Sequence, residues 1–115
     1  MFVDFQKVRL FLRPGFTDMR KQANGLSVFV AEQLELDPFS GNLFLFCNKR
    51  RNIIKVLYWD RNGFCLWKKR LEKHRFPWPK DGEKIAEITE QQLRWILDGI
   101  DFWRAHKKIE YFSVI

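Results

Sequence analysis

Short apolar runs separated by polar turns occupy the middle of the chain and predict a β-sheet. The first run, Val8–Leu12, ends at an Arg-Pro-Gly break. Leu43–Cys47 is apolar at every position, which is typical of a central strand covered on both faces. Ile53–Trp59 and Phe64–Leu71 flank an Asp-Arg-Asn-Gly turn and predict a hairpin. Ile85–Ile88 is a candidate edge strand.

Two other segments have the apolar spacing of helices, with an apolar residue every three or four positions. We expect the longer helix to begin at Thr17 as N-cap, with Asp18 in its first turn, and to end at the Leu-Asp-Pro stretch. Its apolar positions are Met19, Ala23, Leu26, Val30 and Leu34. The second helix begins at Thr89, where Gln92 completes a Thr-x-x-Gln capping box, and Gly99 is placed to end it.

These elements predict an α+β fold with an antiparallel sheet of about four strands, the long helix on one face and the second, C-terminal helix nearby. A length of 115 residues allows one domain, which we assign to residues 1–101, with 102–115 as a C-terminal tail. Cys47 and Cys65 lie inside apolar runs at no metal-ligand spacing and are interpreted as core residues.

The sequence carries no signal of a membrane or an export pathway. No apolar run approaches the ~18 residues that span a bilayer. The N-terminal Met-Phe-Val-Asp-Phe-Gln-Lys has neither the apolar core nor the cleavage site of a signal peptide. We therefore expect a cytoplasmic protein with no membrane partner.

The hairpin region carries the excess of positive charge. Residues 47–80 contain 11 Lys and Arg and two carboxylates, a net charge of +9 in a chain whose total is +7. A charge concentrated in this way predicts an anionic partner, nucleic acid before membrane, and an ordinary solvated basic face is the alternative.

The length of the turn predicts the hairpin register. A direct connection pairs Trp59 with Phe64 and Lys55 with Lys68, and the same register pairs Leu57 with Leu66 and Ile53 with Arg70. Like charges directly opposite one another destabilise a sheet, which suggests that an anion lies between Lys55 and Lys68.

Basic residues in three stretches are candidates for contact with DNA phosphates. Arg20 and Lys21 would lie in the first turn of the long helix, where the dipole disfavours cations. A phosphate-binding site at the helix N-terminus would explain the two cations at this position. The alternative is that the negative charge of Asp18 offsets their positive charge and that both side chains remain solvated. No helix carries the Arg, Asn and Gln array of a recognition helix, so we expect no reading of bases. The predicted DNA-binding residues are Arg20, Lys21, Lys49, Arg50, Arg51, Lys55, Lys68, Lys69 and Arg70.

The Phe76-Pro77-Trp78-Pro79 segment has two interpretations: its aromatic rings stack on bases, or they plug the edge of the core. The residue pattern alone leaves both open.

No arrangement of residues predicts an active site. The carboxylates fall in turns and helix ends rather than at spacings that would gather them around two metal ions. His74 and His106 have no Cys or His companion at ligand spacing, and there is no Gly-Lys-Ser or Gly-Lys-Thr phosphate loop. We expect no catalytic residue, no metal site and no cofactor, unless another subunit supplies the chemistry.

An ordered series of motifs between about residues 5 and 101 resembles one known family, the TnpB-type small accessory protein encoded by the second open reading frame of the insertion sequence sixty-six family of bacterial elements. The motifs are Thr17-Asp18-Met19-Arg20-Lys21, Gly25-Leu26, Asp37-Pro38-Phe39-Ser40-Gly41, Leu43-Phe44, Phe46, Lys55, Trp59-Asp60, Gly63, Lys69-Arg70-Leu71-Glu72, Phe76, Trp78-Pro79 and Gly99-Ile100-Asp101. His74 departs from the small residue usual in the family, and the tail after Asp101 lies outside the pattern.

The resemblance implies a component of DNA transposition that works beside a separate, larger transposase holding the catalytic carboxylates. It transfers no catalytic residue to this chain. DNA and the transposase are the expected partners. Contact with DNA through the basic hairpin is the leading hypothesis. The alternative is a protein-interaction module that docks on the transposase through Trp78, Trp95, Trp103 and the apolar tail.

Overall fold

A computed structural model describes residues 1–103 of the chain. In chain order its elements are β1 (Leu10–Leu12), α1 (Ala23–Glu32), β2 (Leu43–Cys47), β3 (Ile53–Asp60), β4 (Gly63–Arg70), β5 (Ala86–Ile88) and α2 (Glu90–Leu97). Most of the predicted tail lies outside the described residues.

The five strands form one sheet in the order β4-β3-β2-β1-β5, which confirms the α+β class. The sheet is mixed, because β1 and β2 run parallel while the three other neighbouring pairs are antiparallel. The parallel pair follows from the connection between its strands. α1 carries the chain back across the sheet before β2 begins, and such a crossover joins parallel neighbours.

The longer helix is shorter than predicted and does not begin at Thr17. Its N-cap is Gln22, and the N–H of Thr17 instead donates to the carbonyl of Cys47 at 2.8 Å. Arg13 donates in the same way to Leu45 at 3.0 Å, so residues 13–17 continue alongside β2. Local capping signals assign this segment to the start of a helix, but in the structure it pairs with β2 in the manner of a strand. At the other end, Glu35 adopts a left-handed φ of 56° that the helix cannot continue through.

The strand Leu43–Cys47 lies in the middle of the sheet and is buried at all five positions, as predicted. One face packs under α1, where the buried residues are Leu26, Val30, Phe44, Phe46 and Leu57. The opposite face packs under α2 and the segment after β4, and its buried residues include Leu43, Leu45, Phe76, Leu93 and Ile96. Side chains alternate between faces along a strand, so a strand covered on both sides must be apolar throughout.

The segment 76–79 plugs the core edge. Phe76 is fully buried, and Trp78 is 8% exposed with its indole N–H donating to the carbonyl of Arg13 at 2.9 Å. Neither ring is available to stack on a base, so that interpretation is wrong.

The predicted hairpin register is confirmed at all four pairs. Trp59 faces Phe64, Leu57 faces Leu66, Lys55 faces Lys68, and Ile53 faces Arg70. The turn is a two-residue connection between Asp60 and Gly63. A tight turn fixes which residues are opposite, so the sequence determines the register.

Lys55 is buried within this hairpin, 4% exposed, and serves the fold. Its ammonium donates to the carbonyls of Met19 and Lys21 at 2.8 and 2.9 Å. Burial lowers the pKa of Lys55, and the charge of Lys68 lowers it further. Two backbone carbonyls take the place of the anion expected between Lys55 and Lys68. Lys55 is therefore not presented to a phosphate, and its role is to tie residues 19–21 to the sheet.

Replacing Lys55 by methionine keeps the apolar stem and removes the ammonium. The carbonyls of Met19 and Lys21 then lose a donor, so we expect Lys55→Met to lower the free energy of unfolding by about 1–3 kcal/mol. Lys68→Met is the matched control because it removes an exposed ammonium, and a change within about 0.5 kcal/mol is expected. Urea unfolding measures both variants, and equal losses would contradict the anchoring role.

The second helix begins as predicted. The Thr89 hydroxyl accepts from the N–H of Gln92 at 3.1 Å, and the Gln92 side chain accepts from the N–H of Thr89 at 2.9 Å. Gly99 follows the helix with a left-handed φ of 78°. The capping box fixes where α2 starts and hence where Leu93 and Ile96 enter the core.

Removing the cap hydroxyl should destabilise the protein by a predictable amount. We expect Thr89→Ala to lower the free energy of unfolding by about 1 kcal/mol, because the N–H of Gln92 loses its acceptor. Thr89→Ser keeps the hydroxyl and should retain most of the stability. Thermal and urea unfolding measure the pair, and equal destabilisation by both substitutions would show that the methyl group, not the cap, matters.

Candidate nucleic-acid interface

Three basic stretches of the sequence meet at one end of the sheet. β2 ends there, β3 begins there, and β4 ends there because it is antiparallel to β3. The chain preceding α1 reaches the same end, where Lys55 holds the carbonyls of Met19 and Lys21. We call this region the basic end of the sheet. It consists of Arg20, Lys21, Lys49, Arg50, Arg51, Lys68, Lys69 and Arg70.

The loop between β2 and β3 is a fixed turn organised by one amide side chain. The Asn48 carbonyl oxygen Oδ1 accepts from the N–H groups of Asn52 and Ile53 at 2.9 and 3.0 Å. Its amide nitrogen donates to the side chain of Asn52 at 2.6 Å. Arg51 closes the turn in the left-handed region with a φ of 59°. The loop therefore carries three consecutive exposed cations on a backbone held by hydrogen bonds.

The chain that follows β4 braces this loop from the other side. The N–H of Leu71 donates to Asn52 at 2.8 Å, and the N–H of Phe76 donates to Arg51 at 2.7 Å. The buried Phe76 ring then anchors the brace in the core. The spacing between the loop and the end of β4 is consequently set by backbone hydrogen bonds.

Five cations of the basic end are exposed and form no ion pair within residues 1–103. They are Lys21, Lys49, Arg50, Arg51 and Lys68. Exposed cations without a carboxylate partner repel one another, and an anion placed among them relieves that repulsion. These five residues are therefore the part of the predicted set best placed to meet a polyanion.

The remaining residues of the set have other partners. Arg20 donates two hydrogen bonds through Nε and Nη2 to Asp18, and these bonds lower the pKa of the Asp18 carboxyl to about 2. The ammonium of Lys69 donates to the carbonyl of Leu97, in the last turn of α2, at 3.0 Å. Arg70 lies 4.0 Å from Glu72. Arg20 and Lys69 thus have structural tasks, and Lys69 is well placed to interact with the negative end of the α2 dipole.

Two adjoining clefts lie beside the basic end and share Arg51, Trp78, Pro79 and Lys80 in their walls. The larger cleft has a volume of about 480 Å³ and the smaller about 310 Å³. Phe16 lines the smaller cleft and is 53% exposed. Sequence reasoning did not select Phe16 or Lys80. The one available signal was an aromatic residue directly after the Pro-Gly break.

Chemically reactive side chains are scarce in the described chain. Burial raises the pKa of the Cys47 thiol to about 12, so this sulfur stays protonated and packs as an apolar group. Residues 1–103 contain no group of three or more His, Cys, Asp or Glu side chains that could hold a metal ion. Over the same residues, no helix is both long and apolar enough to cross a membrane.

Comparison with known proteins places this chain among transposition-related sequences. Residues 8–107 match the family described as IS66 Orf2 like protein. The uncharacterized protein y4hO of Sinorhizobium fredii is 44% identical over 100 residues, covering 86% of this chain and 85% of the relative. The uncharacterized protein y4jC of the same organism is 29% identical over 101 residues, covering 88% and 86%. No solved structure matches. The extent of the family match, together with the similarity to y4hO, shows that this chain belongs to the IS66 Orf2-like family of transposition accessory proteins.

Proposed function

We propose that the protein is a non-catalytic accessory factor of DNA transposition that contacts DNA phosphates through the basic end of the sheet. It acts in the cytoplasm beside a separate transposase. The observation that carries the proposal is the convergence of five exposed cations without an ion pair from three segments of the described chain, Lys21, Lys49, Arg50, Arg51 and Lys68.

The elements at the basic end favour phosphate contact over base reading. The cations lie on a turn, on the end of a strand and on the segment before α1, and none lies on a helix that could enter the major groove. α2 carries Arg94, but this guanidinium is paired with Glu90 at 2.8 Å. We therefore expect binding that depends weakly on base sequence, because phosphate contacts position a protein without reading bases.

The number of cations sets the expected salt dependence. The five unpaired cations, together with the weakly paired Arg70, make about six phosphate contacts. Six contacts on duplex DNA give a slope of about −5 in a plot of log K against log salt concentration. Weak binding that does not change with salt would contradict the proposal.

Neutralising three of the cations should reduce both affinity and slope. We expect Lys49→Gln, Arg50→Gln and Lys68→Gln combined to make the slope less steep by about 3, since each lost contact removes about 0.9. The measurement is fluorescence anisotropy on a duplex of element-end sequence across a salt series. A second duplex of unrelated sequence and equal length tests base reading.

The matched control removes the same amount of charge elsewhere. Lys7, Arg61 and Arg94 are exposed, and each has a carboxylate neighbour within the described chain. Their combined replacement by Gln should leave the slope within about 1 of the wild-type value. An equal loss in both triple variants would show that net charge acts without a defined surface.

A second candidate function is docking on the transposase, and one apolar patch favours it. Trp95 is 37% exposed and Ile100 is 50% exposed, and the Trp95 ring lies 5.8 Å from that of Phe102. Exposed aromatic residues dominate the energetics of many interfaces. Trp78, which sequence reasoning placed among the anchors, is buried and does not belong to this patch.

Co-purification separates the two functions. If the transposase is retained on the tagged protein after nuclease treatment, and Trp95→Ala with Ile100→Ala abolishes retention, docking is direct. Loss of the transposase on nuclease treatment supports a DNA bridge. Wild-type retention by the double variant would rule out this patch as the docking surface.

A further inference from the structure

Phe16 is an exposed aromatic ring whose surrounding backbone is held on both sides. The N–H of Gly15 donates to Pro79 at 2.9 Å, and the N–H of Thr17 donates to Cys47 at 2.8 Å. The carbonyl of Phe16 itself accepts from the Arg13 guanidinium at 2.7 Å. Single exposed apolar residues are common on protein surfaces and need no explanation alone. A ring presented on a backbone fixed in this way is, however, pre-organised for contact.

The surroundings of this ring combine positive charge with a concave shape. The Lys49 ammonium lies over one face of the Phe16 ring, 5.7 Å from its centre. Lys49, Arg51 and Lys80 line the same cleft, against a single carboxylate, Asp81. Asp81 lies 3.8 Å from Arg13, which offsets part of its charge. The cleft therefore keeps a positive balance, and its volume of about 310 Å³ lies at the lower end of the range for small-ligand sites.

An aromatic ring beside cations in a groove is the combination that binds single-stranded nucleic acid, with a base stacked on the ring and phosphates held by the cations. In a duplex the bases are stacked on each other and their faces are not available to a side chain. An unpaired nucleotide is flexible enough to enter a concave site, whereas the backbone of a duplex follows a stiff cylinder.

We propose that the cleft lined by Phe16, Lys49, Arg51 and Lys80 binds an unpaired nucleotide of single-stranded DNA, its base stacked on Phe16 and its flanking phosphates on the three cations. This inference rests on the proposed function, because Lys49 and Arg51 belong to the basic end that contacts DNA. It adds a preference for unpaired strands, which phosphate contact alone does not supply.

The test compares three fluorescent probes at one salt concentration. They are oligothymidylate of about twelve nucleotides, a length within the site sizes of single-strand binders, a blunt duplex of the same length, and oligouridylate as the RNA equivalent. Wild-type protein should bind oligothymidylate at least as tightly as the duplex.

Phe16→Ala should weaken oligothymidylate binding by about 5- to 150-fold, the range for loss of one stacked base, while duplex binding changes by less than about twofold. Phe16→Tyr keeps the ring and should restore single-strand binding. Phe2→Ala is the matched control, because Phe2 is 98% exposed and its removal deletes an aromatic ring away from the cleft. Unfolding midpoints of all three variants show that each is folded.

Each outcome decides a different point. Duplex binding without binding of oligothymidylate overturns the single-strand site and leaves the proposed function standing. Equal weakening of both probes by Phe16→Ala also overturns it, because stacking would then be absent. Tighter binding of oligouridylate than oligothymidylate overturns the assignment to DNA. Failure to bind any of the probes overturns both the site and the proposed function.

Discussion

The burial of β2 on both faces is the constraint on which the rest of this structure depends. All five residues of Leu43–Cys47 are removed from water, so the sheet needs a cover on each side. α1 supplies one cover, and the helical crossover that places it there makes β1 and β2 parallel. α2 and the Phe76–Pro79 segment supply the other. The path that brings this second cover into place also braces the basic loop.

The cations of the basic end lie near the ends of β2 and β4 and the start of β3, outside the covered core. Cations are tolerated there because their side chains are exposed to solvent. The backbone of their loop is held separately, by the N–H groups of Asn52 and Ile53 donating to Asn48. Lys55 is the exception, since it lies inside the hairpin and works as a structural donor to two carbonyls. Lys55 thus holds the chain in place, while Lys49, Arg50, Arg51 and Lys68 remain exposed.

The sequence predicted the elements whose signals are local. The hairpin register followed from a tight turn, the start of α2 from its capping box, and the central position of β2 from an unbroken apolar run. The start of α1 could not be predicted in this way. Thr17 is a residue type that often caps helices, but its N–H donates to the carbonyl of Cys47, thirty residues later in the chain. Local sequence cannot predict such a long-range hydrogen bond.

The candidate site also combines features that the sequence predicted with features that depend on long-range contacts. The basic stretches were visible as runs of Lys and Arg, and topology brought them to one end of the sheet. The sequence did not show which of these Lys and Arg side chains lack a partner in the structure. The pairing of Arg20 with Asp18 was one of two alternatives that the sequence left open. The contact of Lys69 with the end of α2 and the burial of Lys55 depend on packing that charge counts do not contain. Phe16 was overlooked because an isolated aromatic residue after a turn has no periodicity to set it apart.

Gly15 gives the cleft a marker that can be read in any related sequence. Its φ of 76° is left-handed, and a β-carbon at this position would lie 2.7 Å from the Asp81 carboxylate and 2.8 Å from the Arg13 guanidinium. A side chain at position 15 would therefore strain the backbone beside Phe16 and displace the side chains of Asp81 and Arg13. Relatives that keep glycine here and an aromatic residue next to it are those in which this cleft can retain its shape. Relatives that replace the glycine must accommodate the added side chain by moving the counterparts of Asp81 and Arg13 or the backbone itself.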